Sequence, residues 1–211
     1  MIDTELAALL VSRVCHDLIG PVGAIVNGME MLEDDDDTDM RAHALALIAN
    51  SARAATAKLK FCRMAYGASG AMEAVIDPAE ARDAVAGLIG KGRVTLAFDA
   101  ASAAIPKAHV KLLACLMLCG VEAIPRGGEV KASVREEGPT RVLDIRAEGT
   151  RVQLAPEVVT ALKGEAALAD AGHRHIHAFF TGLMIRASGG VLDITAAETA
   201  ASFRVNLPVS A

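Results

Sequence analysis

Cys15-His16-Asp17-Leu18-Ile19-Gly20-Pro21-Val22-Gly23 lies within a helical pattern spanning residues 3–32, and reading it decides the rest of the chain. At about 100° per residue, Leu6, Leu10, Leu18, Val22, Ile25, Met29 and Leu32 fall within roughly 80° of Val14. His16 lies near 200° on the same wheel, almost opposite that stripe. Ser12, Gly20, Gly23 and Asn27 share its side. An imidazole ringed by small residues, with a carboxylate next to it, is placed as a nucleophile offered to another protein. Gly20, Pro21 and Gly23 each cost helix stability, so the helix could end at Ile19 and restart beyond Pro21. The apolar stripe keeps its phase from Leu18 through Val22 to Ile25, which favours one kinked but continuous helix.

The 211 residues suit one large or two modest domains. Hydrophobic residues make up 53% and charged residues 22%, enough for a real core. Aromatics are 3%, Trp is absent and the net charge is −5, which argues against a nucleic-acid partner. No unbroken apolar run reaches the ~20 residues of a membrane span. Asp3, Glu5 and Arg13 argue against a signal peptide. Cys15, Cys62, Cys115 and Cys119 form no CxxC pair and read as reduced thiols of a cytoplasmic protein.

After the acidic run Glu33-Asp34-Asp35-Asp36-Asp37, read as a solvated turn, a second helix places Met40, Ala44, Leu47, Ala55, Leu59, Cys62 and Tyr66 on one side. It fades at Gly67-Ala68-Ser69-Gly70. Two long helices and a short turn make an antiparallel hairpin. The wide stripe on the first helix predicts that two hairpins pair as a dimeric four-helix bundle. Residues 1–70 are therefore assigned to a helical-hairpin domain and 71–211 to an α/β domain, an α+β organisation overall. In the second domain, Asp77-Pro78 opens a short helix. Strands are expected over 93–98, 129–135, 141–147, 190–196 and 201–207, and helices over 107–123, after Pro156, and up to Ser188. One mixed sheet covered by helices, an α/β sandwich, fits this order.

Imidazole is a competent nucleophile near neutral pH, and a neighbouring carboxylate can fix its tautomer and support developing positive charge. Asp17 is the natural candidate for that role. The run from His16 to Pro21 resembles the H-box of histidine-kinase dimerisation domains. The region from Ile124-Pro125-Arg126-Gly127-Gly128, the Leu183–Gly190 stretch and the ending Phe203-Arg204-Val205-Asn206-Leu207-Pro208 resemble the kinase ATP-binding (Bergerat) fold. The departures matter most. Cys115 and Cys119 stand where that family carries asparagines for Mg²⁺ and ATP. Ala147-Glu148-Gly149-Thr150-Arg151 replaces Asp-x-Gly-x-Gly, and Gly172-His173-Arg174-His175-Ile176-His177 replaces a glycine-rich lid. Triphosphate binding loses its mechanism without those backbone approaches.

An intact H-box on a degenerate ATPase-like domain, together with Leu162-Lys163-Gly164-Glu165, resembles the ChpT family of histidine phosphotransferases. The resemblance implies a phosphorelay. His16 would take a phosphoryl group from a receiver-domain aspartate of a hybrid sensor kinase. It would pass the group to receiver domains of CtrA-like and CpdR-like response regulators of the cell cycle. Mg²⁺ would come with the partner receiver, so no cofactor or metal is expected on this chain. Docking would use Ser12, Gly20, Gly23 and Asn27. Arg13 could reach an acidic rim or the phosphoryl group, but a solvated side chain is the plainer expectation.

Other signals read as packing. His173, His175 and His177 would share a face only in a strand, where they could hold a metal; the helical pattern spreads them. Cys115 and Cys119 read as buried, and His43 and His109 as ordinary helix-surface residues. An ATP-dependent kinase with eroded motifs and a non-catalytic dimeric binding module remain as alternative classes.

Overall fold

The computed structural model describes residues 4–34, 38–67, 74–90, 92–102 and 104–209. The side chains of Asp34, His173 and Arg174 are outside that description. So are part of the acidic turn and the boundary expected between residues 70 and 71.

The first helix, α1 (Thr4–Asp34), runs unbroken through Pro21. Its partner α2 (Thr38–Tyr66) returns alongside it. The two approach closely at Gly28, where a methyl group would come 2.7 Å from Ile48 Cγ1. Only part of the α1 stripe is covered. Val11, Ile19, Val22, Val26 and Met29 are exposed, with Leu45 and Leu59 exposed on α2. Of the residues expected on one side of α2, Ala44 is buried while Met40 and Leu59 are exposed. By composition and length α1 would pass for a membrane span. Here it packs against α2 and the last long helix of the chain.

The second part starts with the short strand β1 (Val75–Ile76) and α3 (Ala79–Ile89), followed by β2 (Val94–Ala100) and β3 (Ile105–Pro106). The β1–β3 bridge went unpredicted: two residues show no alternation. Then come α4 (Lys107–Ala123), β4 (Gly128–Glu137), β5 (Thr140–Gly149), α5 (Pro156–Lys163), α6 (Leu168–Ala187), β6 (Val191–Ala196) and β7 (Ala200–Pro208). Strand order is β2-β4-β5-β7-β6, with β2 and β4 parallel and the other pairs antiparallel. Between Leu112 and Val121 helix α4 is apolar on every side, as a surrounded segment should be; Leu112 through Met117 are fully buried. Val130, Leu143, Ile145, Phe203 and Val205 meet it from the sheet. The opposite sheet face is polar, with Arg204 donating to Asp144 across a β5–β7 pair. Helices thus cover one face only.

Polar contacts join the hairpin to this layer, beside the apolar packing of Phe61 and Ala65 into its core. Lys111 Nζ donates to the Gly67 carbonyl at 2.6 Å. Tyr66 and His177 meet at 2.8 Å. Arg13 on α1 reaches Glu122 on α4 at 2.9 Å.

Candidate functional site

Helix α1 presents His16 outward, with 73% of its side chain exposed. Nδ1 of the ring lies 3.5 Å from Asp17 Oδ1, the outer edge of hydrogen-bond distance. The second carboxylate oxygen, Oδ2, accepts from Arg13 Nε at 2.9 Å. One turn of helix separates the two partners, the spacing at which side chains of a helix surface meet. From α2, Lys58 Nζ donates to the Asp17 carbonyl at 2.6 Å and ties the two helices together at the site.

Arg13 corrects an expectation: it is not solvated. Its side chain is only 19% exposed and bridges Asp17 and Glu122. Burial opposes its charge, but the hydrogen bonds and charges of Asp17 and Glu122 outweigh that and hold its pKa above the ordinary value. Sequence reasoning missed Glu122, which lies 109 residues from its partner. The expected docking residues Ser12, Gly20, Gly23 and Asn27 are all exposed, and nothing stands within 4 Å of a methyl group built on Gly20 or Gly23. Beside Asp17, a cleft of about 580 Å³ opens between hairpin and sheet layer, lined among others by Lys58, Cys62, Tyr66 and Pro125.

Cys115 and Cys119, at the places expected for nucleotide ligands, are buried in α4. Burial pushes the Cys115 thiol up to about 12 and the Cys119 thiol well above its usual range, so neither is a reactive thiolate near neutrality. Helix α6 packs over this face. The Cys115 carbonyl can only accept, so His177 Nε2 donates to it at 3.0 Å, and Nδ1 accepts from the Tyr66 hydroxyl. His177 is therefore a buried neutral packing residue, not one of a metal-binding trio. His109 is also not the surface residue expected: it is half-buried and accepts from Arg141 at 2.8 Å. Burial, helped by the Arg141 charge, lowers its pKa to about 4. The Gly127-Gly128 pair has positive φ angles of 99° and 145°, and a methyl group on Gly128 would collide with the Glu148 carbonyl. Sheet geometry alone therefore demands these glycines.

A helical hairpin carrying an exposed histidine, docked on a helix-covered mixed sheet, defines the histidine-kinase type of architecture at the fold level. The Acinetobacter baumannii histidine kinase AdeS shares that fold, with a TM-score of 0.50 at 12% identity, over 93% of this chain and 98% of that one. A bacterial phosphotransferase of solved structure superimposes with a TM-score of 0.85 at 31% identity, over 97% of both chains. The protein phosphotransferase ChpT of Brucella abortus (strain 2308) is 36% identical over 199 residues, 91% of this chain and 90% of that protein. A family model described as the histidine phosphotransferase C-terminal domain matches residues 78–200. The chain belongs to this family of histidine phosphotransferases, which act in phosphorelays.

Proposed function

We propose that His16 is the relay point, taking a phosphoryl group from an aspartyl phosphate on one receiver domain and delivering it to an aspartate on another. The carrying observation is the exposed His16 ring with Asp17 against its Nδ1. The ring's other nitrogen, Nε2, attacks phosphorus. The bond from phosphorus to the receiver's carboxylate oxygen breaks, releasing that carboxylate, and an N–P bond forms. The ring gains positive charge, which Asp17 faces. The reverse sequence passes the group on. Such transfer needs alignment and charge neutralisation more than covalent help.

Mg²⁺ in this reading is held by the carboxylates of the receiver, and Ser12, Gly20, Gly23 and Asn27 leave room for a receiver helix beside His16. The donor is the receiver of a hybrid sensor kinase, and the acceptors are CtrA-like and CpdR-like response regulators controlling the cell cycle. Self-phosphorylation from ATP is not part of it. Cys115 and Cys119 supply no hard oxygen ligand for Mg²⁺, and α6 covers them. A second copy of the chain covers the exposed stripe from Val11 to Met29, making the four-helix bundle. A cytoplasmic setting fits α1, because Arg13, His16 and Asp17 at its middle would be costly within a bilayer.

The test is phosphoryl transfer from a phosphorylated receiver to the full-length chain, with His16→Ala beside it. Wild type is expected to acquire an acid-labile phosphoryl group and His16→Ala none. Transfer that survives His16→Ala would make the chain a binding module. Labelling by ATP alone would make it a kinase.

A further inference from the structure

The contact between Glu122 and Arg13 joins the α/β domain directly to the phosphotransfer helix. Glu122 sits in the last turn of α4, where the helix dipole disfavours a carboxylate. Arg13 Nη2 donates to it at 2.9 Å while Arg13 Nε donates to Asp17 Oδ2 at the same distance. An isolated i,i+4 pair on an exposed helix contributes little and wanders. With its far end tied to another element, the guanidinium has one position. That leaves one carboxylate oxygen of Asp17 on Arg13 and the other turned to His16 Nδ1.

We infer that Glu122 is a positioning residue for phosphoryl transfer, acting through Arg13 to hold the Asp17 carboxylate against His16. The α/β domain then contributes to the chemistry of the hairpin without binding a nucleotide. This rests on His16 being the phosphoacceptor. A carboxylate held at Nδ1 keeps the ring proton there and leaves the Nε2 lone pair for attack. Releasing Arg13 lets Asp17 turn away, and the ring drifts toward its Nε2–H form.

Two measurements on the full-length chain decide this. In single-turnover transfer from a phosphorylated receiver, Glu122→Gln should lower the maximal rate about fivefold and leave the half-saturating receiver concentration unchanged. In an Arg13→Ala background it should add nothing, because the two residues act in series. Glu122→Asp, one methylene shorter, should fall between. Nitrogen NMR of the His16 ring, which needs no phosphoryl donor, should show the same drift toward Nε2–H in Glu122→Gln and Arg13→Ala. An unchanged ring tautomer in Glu122→Gln would overturn the inference. So would a raised half-saturating concentration at an unchanged rate, which marks a docking contact, or additive effects of the two substitutions. Absence of transfer in wild type would instead remove the relay reading, and the NMR measurement would still decide the role of Glu122.

Discussion

Asp17 serves two partners at once, a guanidinium at 2.9 Å and an imidazole at 3.5 Å. Replacing it with asparagine keeps the shape and removes the charge that faces the developing imidazolium. Asp17→Asn should slow maximal transfer about tenfold, below the usual range for a group that moves the proton itself, because the contact to His16 is long. Rapid quenching at saturating receiver measures it; an unchanged maximal rate would show that Asp17 gives His16 no support. The outward placement of His16 beside Asp17 was legible in the sequence because helix geometry and short spacing are local properties. Arg13 was not. Its partner Glu122 belongs to another element, and no local pattern announces a pair 109 residues apart. His109 failed to be read for the same reason: Arg141 reaches it from β5.

Among elements, the join of α2 to α4 and α6 at His177, and that of α4 to β5 at His109, carry a pH dependence. Burial lowers the pKa of His177, and that of His109 falls to about 4, against 6.5 for an ordinary histidine. Below pH 6.5 the unfolded chain takes up protons that the folded chain refuses. Stability is therefore fully present above 6.5 and declines with acidification, for His109 down to about 4. Thermal unfolding between pH 7 and 4 should show a falling midpoint (about pH 7 being where histidines are largely neutral), and His109→Gln should flatten part of the slope. Tyr66→Phe removes the donor to His177 Nδ1 and strands a buried acceptor, at a cost of about 1–3 kcal/mol. An unfolding midpoint equal to wild type would mean that water or a shifted tautomer satisfies the ring. The long elements themselves were readable from periodicity, α4 down to its ends, and the five main strands within a few residues. The three alternating histidines were ambiguous because a spacing of two has meaning only in a strand. The helical pattern resolved it, but the burial of His177 between Tyr66 and Cys115 needed the tertiary structure.

For the molecule as a whole, the wheel of α1 reads as one wide apolar stripe, while a single chain covers only one flank of it. The flank against α2 is closed at Gly28, which meets Ile48 and Ala44. The other flank leaves Val11 62% and Ile19 70% exposed, and Val22, Val26 and Met29 continue it. A lone hairpin has no use for such a face, whereas two hairpins related by a two-fold axis bury it on both copies at once. Val26→Glu with Met29→Glu places four like charges within that contact, roughly 15–20 Å along the helix axis from His16. The double variant should sediment as the single 21.8 kDa chain, with helix content retained by circular dichroism, while wild type sediments at twice that mass. Wild type found as a single chain would remove the dimer. His16, Asp17, Arg13, Lys58 and Glu122 all belong to one chain. The charged variant should therefore still accept phosphoryl groups, and loss of transfer in a folded single chain would show that the site needs residues from a second copy.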